Sequence, residues 1–223
     1  MIPRTPEPEE LMDRADQAEA YAAADFSEAN SLFIELLTGA AAGDPGARVL
    51  DLGCGPADIP LQLAQRFPNM HIDAVDGAQA MLDLADRALD GLPALRPRVR
   101  LVCDLLPCAA LPSHAYDAVI SNSLLHHLSN PALIWQTITR STKPGALVLV
   151  MDLARPDSVA DVDDLVGRYA ADAPTVLRQD FRNSLFAAYR VDEVEAQLAA
   201  AGLSQLRVDS VSDRHLAVSG RID

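Results

Sequence analysis

Basic residues are scarce in this sequence: 18 Lys and Arg stand against 32 Asp and Glu, a formal net charge of −14. That balance disfavours a nucleic-acid partner, because displacing counterions from phosphates needs a basic surface. Cysteine is scarce as well. Cys54, Cys103 and Cys108 form an odd set without paired spacing, which argues against a disulfide framework. With no Cys-x-x-Cys and no His/Cys ligand cluster, no metal site is expected. The opening MIPRTPEPEE lacks the basic and apolar regions of a signal peptide, so a reducing cytoplasm is the expected compartment. No apolar run reaches the roughly 20 residues that cross a bilayer, the longest being strand-sized stretches such as Ala146 to Met151. No internal repeat or inter-domain linker is evident, and the pattern gives no sign of oligomeric state.

What is present suits a single α/β domain. The chain has 223 residues, 49% hydrophobic and 22% charged, enough to bury about 70% of the surface its unfolded form exposes. Residues 1–46 begin with a Pro and Glu cluster and become an Ala-rich stretch with Tyr21, Phe26, Leu32, Phe33, Leu36 and Leu37. This reads as a helical cap over the sheet, or as a helix that merely covers apolar surface.

From Val49 strand-like and helix-like segments alternate, the signature of a parallel sheet with helices on both faces. Strands are expected at Arg48 to Leu52, Met70 to Val75, Val99 to Cys103, Tyr116 to Ser121 and Ala146 to Leu153. Helices are expected from Pro56 to Phe67 and from Ala78 to Leu89, where apolar side chains recur at helical spacing. A Pro-containing loop, Leu106 to His114, replaces a clear helix between the third and fourth strands. Asn130 and Pro131 suit the cap and first position of the next helix, and Lys143-Pro144-Gly145 a turn into the fifth strand. Residues 155–190 interrupt the alternation. Asp192-Glu193-Val194-Glu195 then resembles a capping box, and two short strands, Gln205 to Val211 and Arg214 to Val218, lie close enough to be antiparallel.

The strongest chemical signal is Val49-Leu50-Asp51-Leu52-Gly53-Cys54-Gly55-Pro56. Glycines there let the backbone turn tightly after a strand and approach a ligand. Asp51 offers an anionic acceptor for the ammonium of an amino-acid moiety, and loop N–H groups suit its carboxylate. Asp76, at the end of the second strand, stands where dinucleotide-binding sheets place a carboxylate for ribose hydroxyls. Asp104 and Leu105 after the third strand, with Met81, suit an adenine ring. Each has a plainer reading, since Asp76 and Asp104 also fit simple caps and Met81 ordinary core. Their joint occurrence after successive strands favours a site.

Together with Ser121 to Leu128, these motifs resemble those of the class I S-adenosylmethionine-dependent methyltransferases over about Arg48 to Leu153. The resemblance implies a Rossmann-like, doubly wound seven-stranded sheet whose last strand is antiparallel, within a methyltransferase domain over residues 47–223. It further implies S-adenosyl-L-methionine as cofactor, with Asp51, Gly53 and Gly55 on its methionine part, Asp76 on ribose, Asp104 and Leu105 on adenine, and Asn122 lining it after the fourth strand. The sequence departs at Ala57, where many members carry a third glycine. A nicotinamide-dependent oxidoreductase is the nearest competitor, but Asp58 stands where Gly-x-Gly-x-x-Gly needs glycine. A non-catalytic adenosine-binding module stays open.

For the acceptor, a small molecule, the candidates are less determined. His126 is the nearest base candidate, in the loop after the fourth strand, and Asp152, ending the fifth, is a second that would accept a proton or orient the acceptor. The plainer reading has one histidine packed and the other in water. Tyr21, His127, Arg178 and Arg182 are expected on the acceptor side, the two arginines sharing a helix face within a lid at residues 155–190. The same stretch also fits a structural insertion.

Overall fold

In the computed structural model, which describes residues 1–8 and 11–223, alternation along one strand sets the architecture. Strand β5 (Thr142–Leu153) sends Leu147, Leu149 and Met151 into one apolar cluster and Val148 and Val150 into another. Successive strand side chains point to opposite faces, so a strand buried on both sides must be covered twice. On one face lie α2 (Ser27–Ala40), α3 (Asp58–Arg66) and α4 (Gln79–Asp90), through Phe33, Leu37, Leu63, Leu82 and Ala85. On the other lie α5 (Ala132–Ser141) and α8 (Val191–Ala200), through Ile134, Trp135, Ile138, Val194 and Leu198. Trp135 Nε1 donates to Gln197 Oε1 at 3.0 Å, satisfying the one polar atom of the buried indole.

The described residues form a seven-stranded sheet in the order β3-β2-β1-β4-β5-β7-β6. Strands β1 (Arg48–Leu52), β2 (His71–Asp76), β3 (Val99–Cys103), β4 (Tyr116–Asn122) and β5 pair in parallel. β7 (His215–Arg221) runs antiparallel to β5 and to β6 (Arg207–Ser210). The expected Rossmann-like sheet with its antiparallel last strand is therefore the observed fold. Strand order reverses between β1 and β4, and ligands of open α/β sheets bind at such a switch, beyond the strands' carboxyl ends.

Several local expectations need correction. Helix α3 begins at Asp58, not Pro56, because Ala57 is left-handed (φ 66°) and holds the chain out of helix for one more residue. Helix α5 begins at Ala132; Asn130 Oδ1 accepts its N–H at 3.2 Å, while Pro131 only flanks it. Lys143-Pro144-Gly145 is not a separate turn, since β5 already starts at Thr142 and absorbs these residues in a register shift against β4. The capping interaction before α8 lies two residues earlier than expected: Glu193 Oε2 accepts the N–H of Arg190 at 2.9 Å. No helix among the described residues is long and apolar enough to cross a membrane.

Residues 155–190 hold two helices, α6 (Val159–Tyr169) and α7 (Thr175–Ala187). Ser158 and Asp161 form the capping box of α6. Its far end is fastened by Arg168 and Tyr169, both bonded to Asp213 Oδ2. The N-terminal segment lies along this pair. Arg4 donates to the carbonyls of Ala187 (2.6 Å) and His126 (3.0 Å), and its guanidinium stacks 4.1 Å from the Tyr189 ring centre. Helix α1 (Ala15–Ala22) follows and packs on α4 and α7.

Candidate active site

A cavity of about 1100 Å³ opens beyond the carboxyl ends of the parallel strands. Its walls bring together Asp51, Gly53, Gly55, Asp76, Met81, Asp104, Leu105 and Asn122 with Tyr21, His126 and His127. Asp152 lies directly behind His126 and is buried. The expected lid arginines are not brought there. Arg182 pairs with Asp163 at 3.1 Å and lies over the Phe186 ring, while the exposed Arg178 bonds the Ala173 carbonyl. Both project from the side of α7 turned away from the cavity, which Leu177, Phe181 and Ser184 face instead.

The loop after β1 is shaped by its neighbours. Gly53 has φ +74°, and a Cβ there would meet Leu124 at 2.9 Å, so this position has both a conformational and a steric need for glycine. The N–H groups of Gly53 and Cys54 both point to the Val75 carbonyl. Asp76 accepts the N–H of Gly55 on one oxygen and of Ala78 on the other, each at 2.8 Å. The plainer capping reading of Asp76 thus holds, but a carboxylate has about four acceptor positions, and the remaining ones border the cavity. Ala57 adopts the left-handed conformation that a third glycine would favour, at a cost of about 1–2 kcal/mol, so the loop keeps its course.

Electrostatics mark the same pocket. Asp51 is 2% exposed and makes no ion pair among the described residues. Burial, with the nearby Asp76 charge adding, pushes its carboxyl up to about 8. A buried carboxyl in that condition is stabilised by an incoming cation. Asn122 lines the cavity, and its Oδ1 is buried without a hydrogen-bond partner among the described residues. Tyr21 stacks on Phe26, ring centres 4.5 Å apart, and burial followed by the charges of Asp58, Asp76 and Asp152 pushes its phenol up to about 12. Cys54 also lines the cavity, but burial and the adjacent Asp51 and Asp76 charges raise its thiol well above the ordinary range, which removes it as a thiolate.

The acceptor side is built around a histidine held from behind. His126 is 3% exposed, and its Nδ1 lies 2.5 Å from Asp152 Oδ1, while its backbone N–H reaches Asp152 Oδ2 at 3.3 Å. A carboxylate partner assigns the proton to Nδ1 and leaves the Nε2 lone pair facing outward. Burial pulls the imidazole pKa down, but Asp152 and then Glu7 outweigh it and hold it above the ordinary value.

Glu7 was not among the residues expected from sequence. Its Oε1 lies 3.8 Å from His126 Nε2 and its Oε2 2.7 Å from His127 Nδ1. Although burial raises the Glu7 carboxyl, contact with His127 and the charges of both histidines bring it below the usual range. No spacing rule connects a residue in an N-terminal Pro and Glu cluster to a histidine pair after β4. Only the course of the N-terminal segment, fixed by Arg4, brings it there.

With this geometry in place, comparison with known proteins shows what the chain resembles. A family model described as a methyltransferase domain matches residues 49–145. That match is to a methyltransferase domain and spans a little under half of the chain. Among curated relatives, trans-aconitate 2-methyltransferase of Methylobacterium nodulans is 29% identical over 167 residues, 75% of this chain and 54% of the relative. An uncharacterized methyltransferase of Schizosaccharomyces pombe is 31% identical over 108 residues, 45% of this chain and 38% of the relative. The matches thus span about half or less of these relatives' own length. Among solved structures, a SAM-dependent methyltransferase from Aquifex aeolicus has a TM-score of 0.67 at 19% identity, covering 92% of this chain and 98% of that one. At that identity the likeness speaks to the fold. The matched methyltransferase segment runs from β1 into β5, and so contains the glycine loop, Asp76, Asp104, Asn122 and both histidines.

Proposed function

We propose that this protein is an S-adenosylmethionine-dependent methyltransferase whose acceptor is a small molecule. The observation that carries the proposal is the set of unmet needs on one wall of the cavity. A buried Asp51 without a cation, an unpartnered Asn122 Oδ1 and a loop whose Gly53 has no room for a side chain fit an amino acid joined to a nucleoside. When bound, the cofactor supplies an electrophilic methyl group on sulfur. Asp51 would hold its ammonium, and Gly53 and Gly55 would let the methionine part approach the backbone closely, their own N–H groups being already bonded to Val75 and Asp76. The free lone pairs of Asp76 would take the ribose, and Asp104, Leu105 and Met81 the adenine. The oxidoreductase alternative is not favoured: Asp58 lines the cavity beside the loop, where a pyrophosphate would be repelled.

His126 and Asp152 would serve the acceptor. Asp152 orients the ring so that Nε2 meets an acceptor group, which gives up its proton on this side while the methyl arrives from the other. Tyr21 and His127 would line the same space. In this reading residues 1–46 are a cap and 155–190 a lid, jointly closing a chamber sized for a small molecule. Small acceptors are also what the relatives' names describe, trans-aconitate and phosphoethanolamine. The −14 charge supports a metabolite over a nucleic acid, and three free cysteines suit a reducing cytoplasm. A metabolite screen read by S-adenosylhomocysteine formation, with each hit checked by mass for an added methyl, tests the reading. Failure of the full chain to bind S-adenosylmethionine or S-adenosylhomocysteine would reject it.

A further inference from the structure

Three residues on the acceptor side present ligand atoms to one point. One donor atom each from Glu7, His126 and His127 lies within 4.8 Å of the others. Asp152 occupies His126 Nδ1, so Nε2 is the atom this ring has to offer, and it faces Glu7 at 3.8 Å. His127 Nδ1 is 2.7 Å from Glu7 Oε2, a close polar contact between a ring nitrogen and a carboxylate oxygen.

We propose that Glu7, His126 and His127 bind a divalent transition-metal ion of the zinc type at the acceptor end of the cavity. The distances suit it. Ligand atoms about 2.1 Å from a shared ion lie roughly 3.0–3.4 Å apart in octahedral or tetrahedral arrangements; His127 Nδ1 is 2.7 Å from one Glu7 oxygen and His126 Nε2 3.8 Å from the other, so small side-chain adjustments bring one donor of each residue to that spacing. Two imidazoles and one carboxylate are a donor set for zinc or iron rather than for magnesium or calcium, which prefer oxygen. Behind the first ligand stands the support such sites use: Asp152 accepts from His126 Nδ1 and fixes the ring's orientation. Ser184 Oγ steadies Glu7 Oε1 at 2.5 Å. Three protein ligands leave coordination positions open, and Glu7, His126 and His127 all line the cavity.

The proposal rests on the methyltransferase reading for its role but not for its existence. There the ion would meet the acceptor's oxygen or nitrogen and help it lose its proton to solvent, so His126 would act through the metal instead of as a free base. It departs from the expectation of no metal site, because Glu7 and the His126-His127 pair lie far apart in the sequence and meet only in the fold.

The test is titration of the tag-free, chelator-stripped full chain with Zn²⁺, together with the visible absorption of Co²⁺. One ion per chain, at micromolar or tighter affinity, is expected. Glu7→Gln and His127→Ala should each weaken it at least about tenfold, and Asp152→Asn by about 10- to 100-fold, with S-adenosylhomocysteine affinity retained as the sign of an intact fold. A wild-type Kd weaker than about 100 μM, or binding that Glu7→Gln and His127→Ala leave unchanged, would overturn the assignment. Because cofactor binding is measured separately, zinc binding without S-adenosylhomocysteine binding would reject the methyltransferase reading and keep the metal site. The reverse result would do the opposite.

Discussion

Gly55 donates its backbone N–H to Asp76 Oδ2 across 2.8 Å, so the glycine loop after β1 and the end of β2 are held as one unit. The carboxylate that would receive the ribose also fixes the loop that would receive the methionine part. Asp76→Ala is therefore expected to weaken S-adenosylhomocysteine binding by about 1.5–3 kcal/mol, roughly ten- to a hundredfold. Calorimetry on a variant with wild-type circular dichroism checks this, and unchanged affinity would remove Asp76 from the cofactor site.

Cofactor binding should depend on pH through Asp51, whose carboxyl is pushed up to about 8. An ammonium beside it favours the carboxylate, so below that value binding expels a proton. S-adenosylhomocysteine affinity is expected to rise from about pH 6 to about pH 8, by at most about tenfold per unit. Without ligand the sign is reversed for stability: a carboxyl raised in the fold costs progressively more between about pH 4 and about pH 8. The gain in Tm on adding S-adenosylhomocysteine should thus be larger at pH 8 than at pH 6. Asp51→Asn should flatten both trends, and a flat wild-type affinity would sink the assignment.

Replacing Arg178 and Arg182 together by glutamine should leave the acceptor KM within about twofold, because exposed charges of this kind contribute little and neither reaches the cavity. Steady-state kinetics on the identified acceptor decides it. A KM raised tenfold or more would show that the lid turns its other side inward during turnover.

Asp73 predicts an acid-dependent effect on stability alone. Burial raises its carboxyl, but bonds from Arg100 (2.7 Å) and Tyr116 (2.5 Å) outweigh this and depress it. Such a group stabilises the fold above its unfolded value, and that contribution is lost as pH falls through the folded one. Asp73→Asn should cost about 1–2 kcal/mol at pH 7, with the difference narrowing below about pH 4, as thermal melts would show. Equal destabilisation at both pH values would point to packing instead of charge.

Much of the parallel sheet was legible because its strands are apolar runs bounded by Gly, Pro and Asp, and β1 and β3 match their expected limits. Helix starts were less legible. At Ala57 the backbone adopts a conformation that an alanine does not advertise, and at Arg190 the capping partner is a side chain from the following turn. On the cofactor wall every residue singled out lines the cavity, since all but Met81 lie at or just past the carboxyl end of a strand and the topology gathers those ends, while Met81 stands in the first turn of α4 beside them. The acceptor wall was only partly readable, because its parts come from both flanks of the domain. Arg178 and Arg182 share a helix face, as four-residue spacing requires, but spacing does not say which way that face looks. Glu7 carried no local pattern at all.

Asp73, Tyr116, Arg48 and Arg100 tie four strands together near their amino ends, and Asp117 adds the Arg48 N–H at 2.9 Å and Lys143 at 2.6 Å. All of these fasteners lie at the opposite end of the sheet from the cavity. Register is thereby secured where no ligand arrives, and the rim is relieved of that duty. Mutational drift in the roof, natural or imposed in a combinatorial library over Tyr21, Leu177 and Phe181, can retarget the chamber without loosening its foundation.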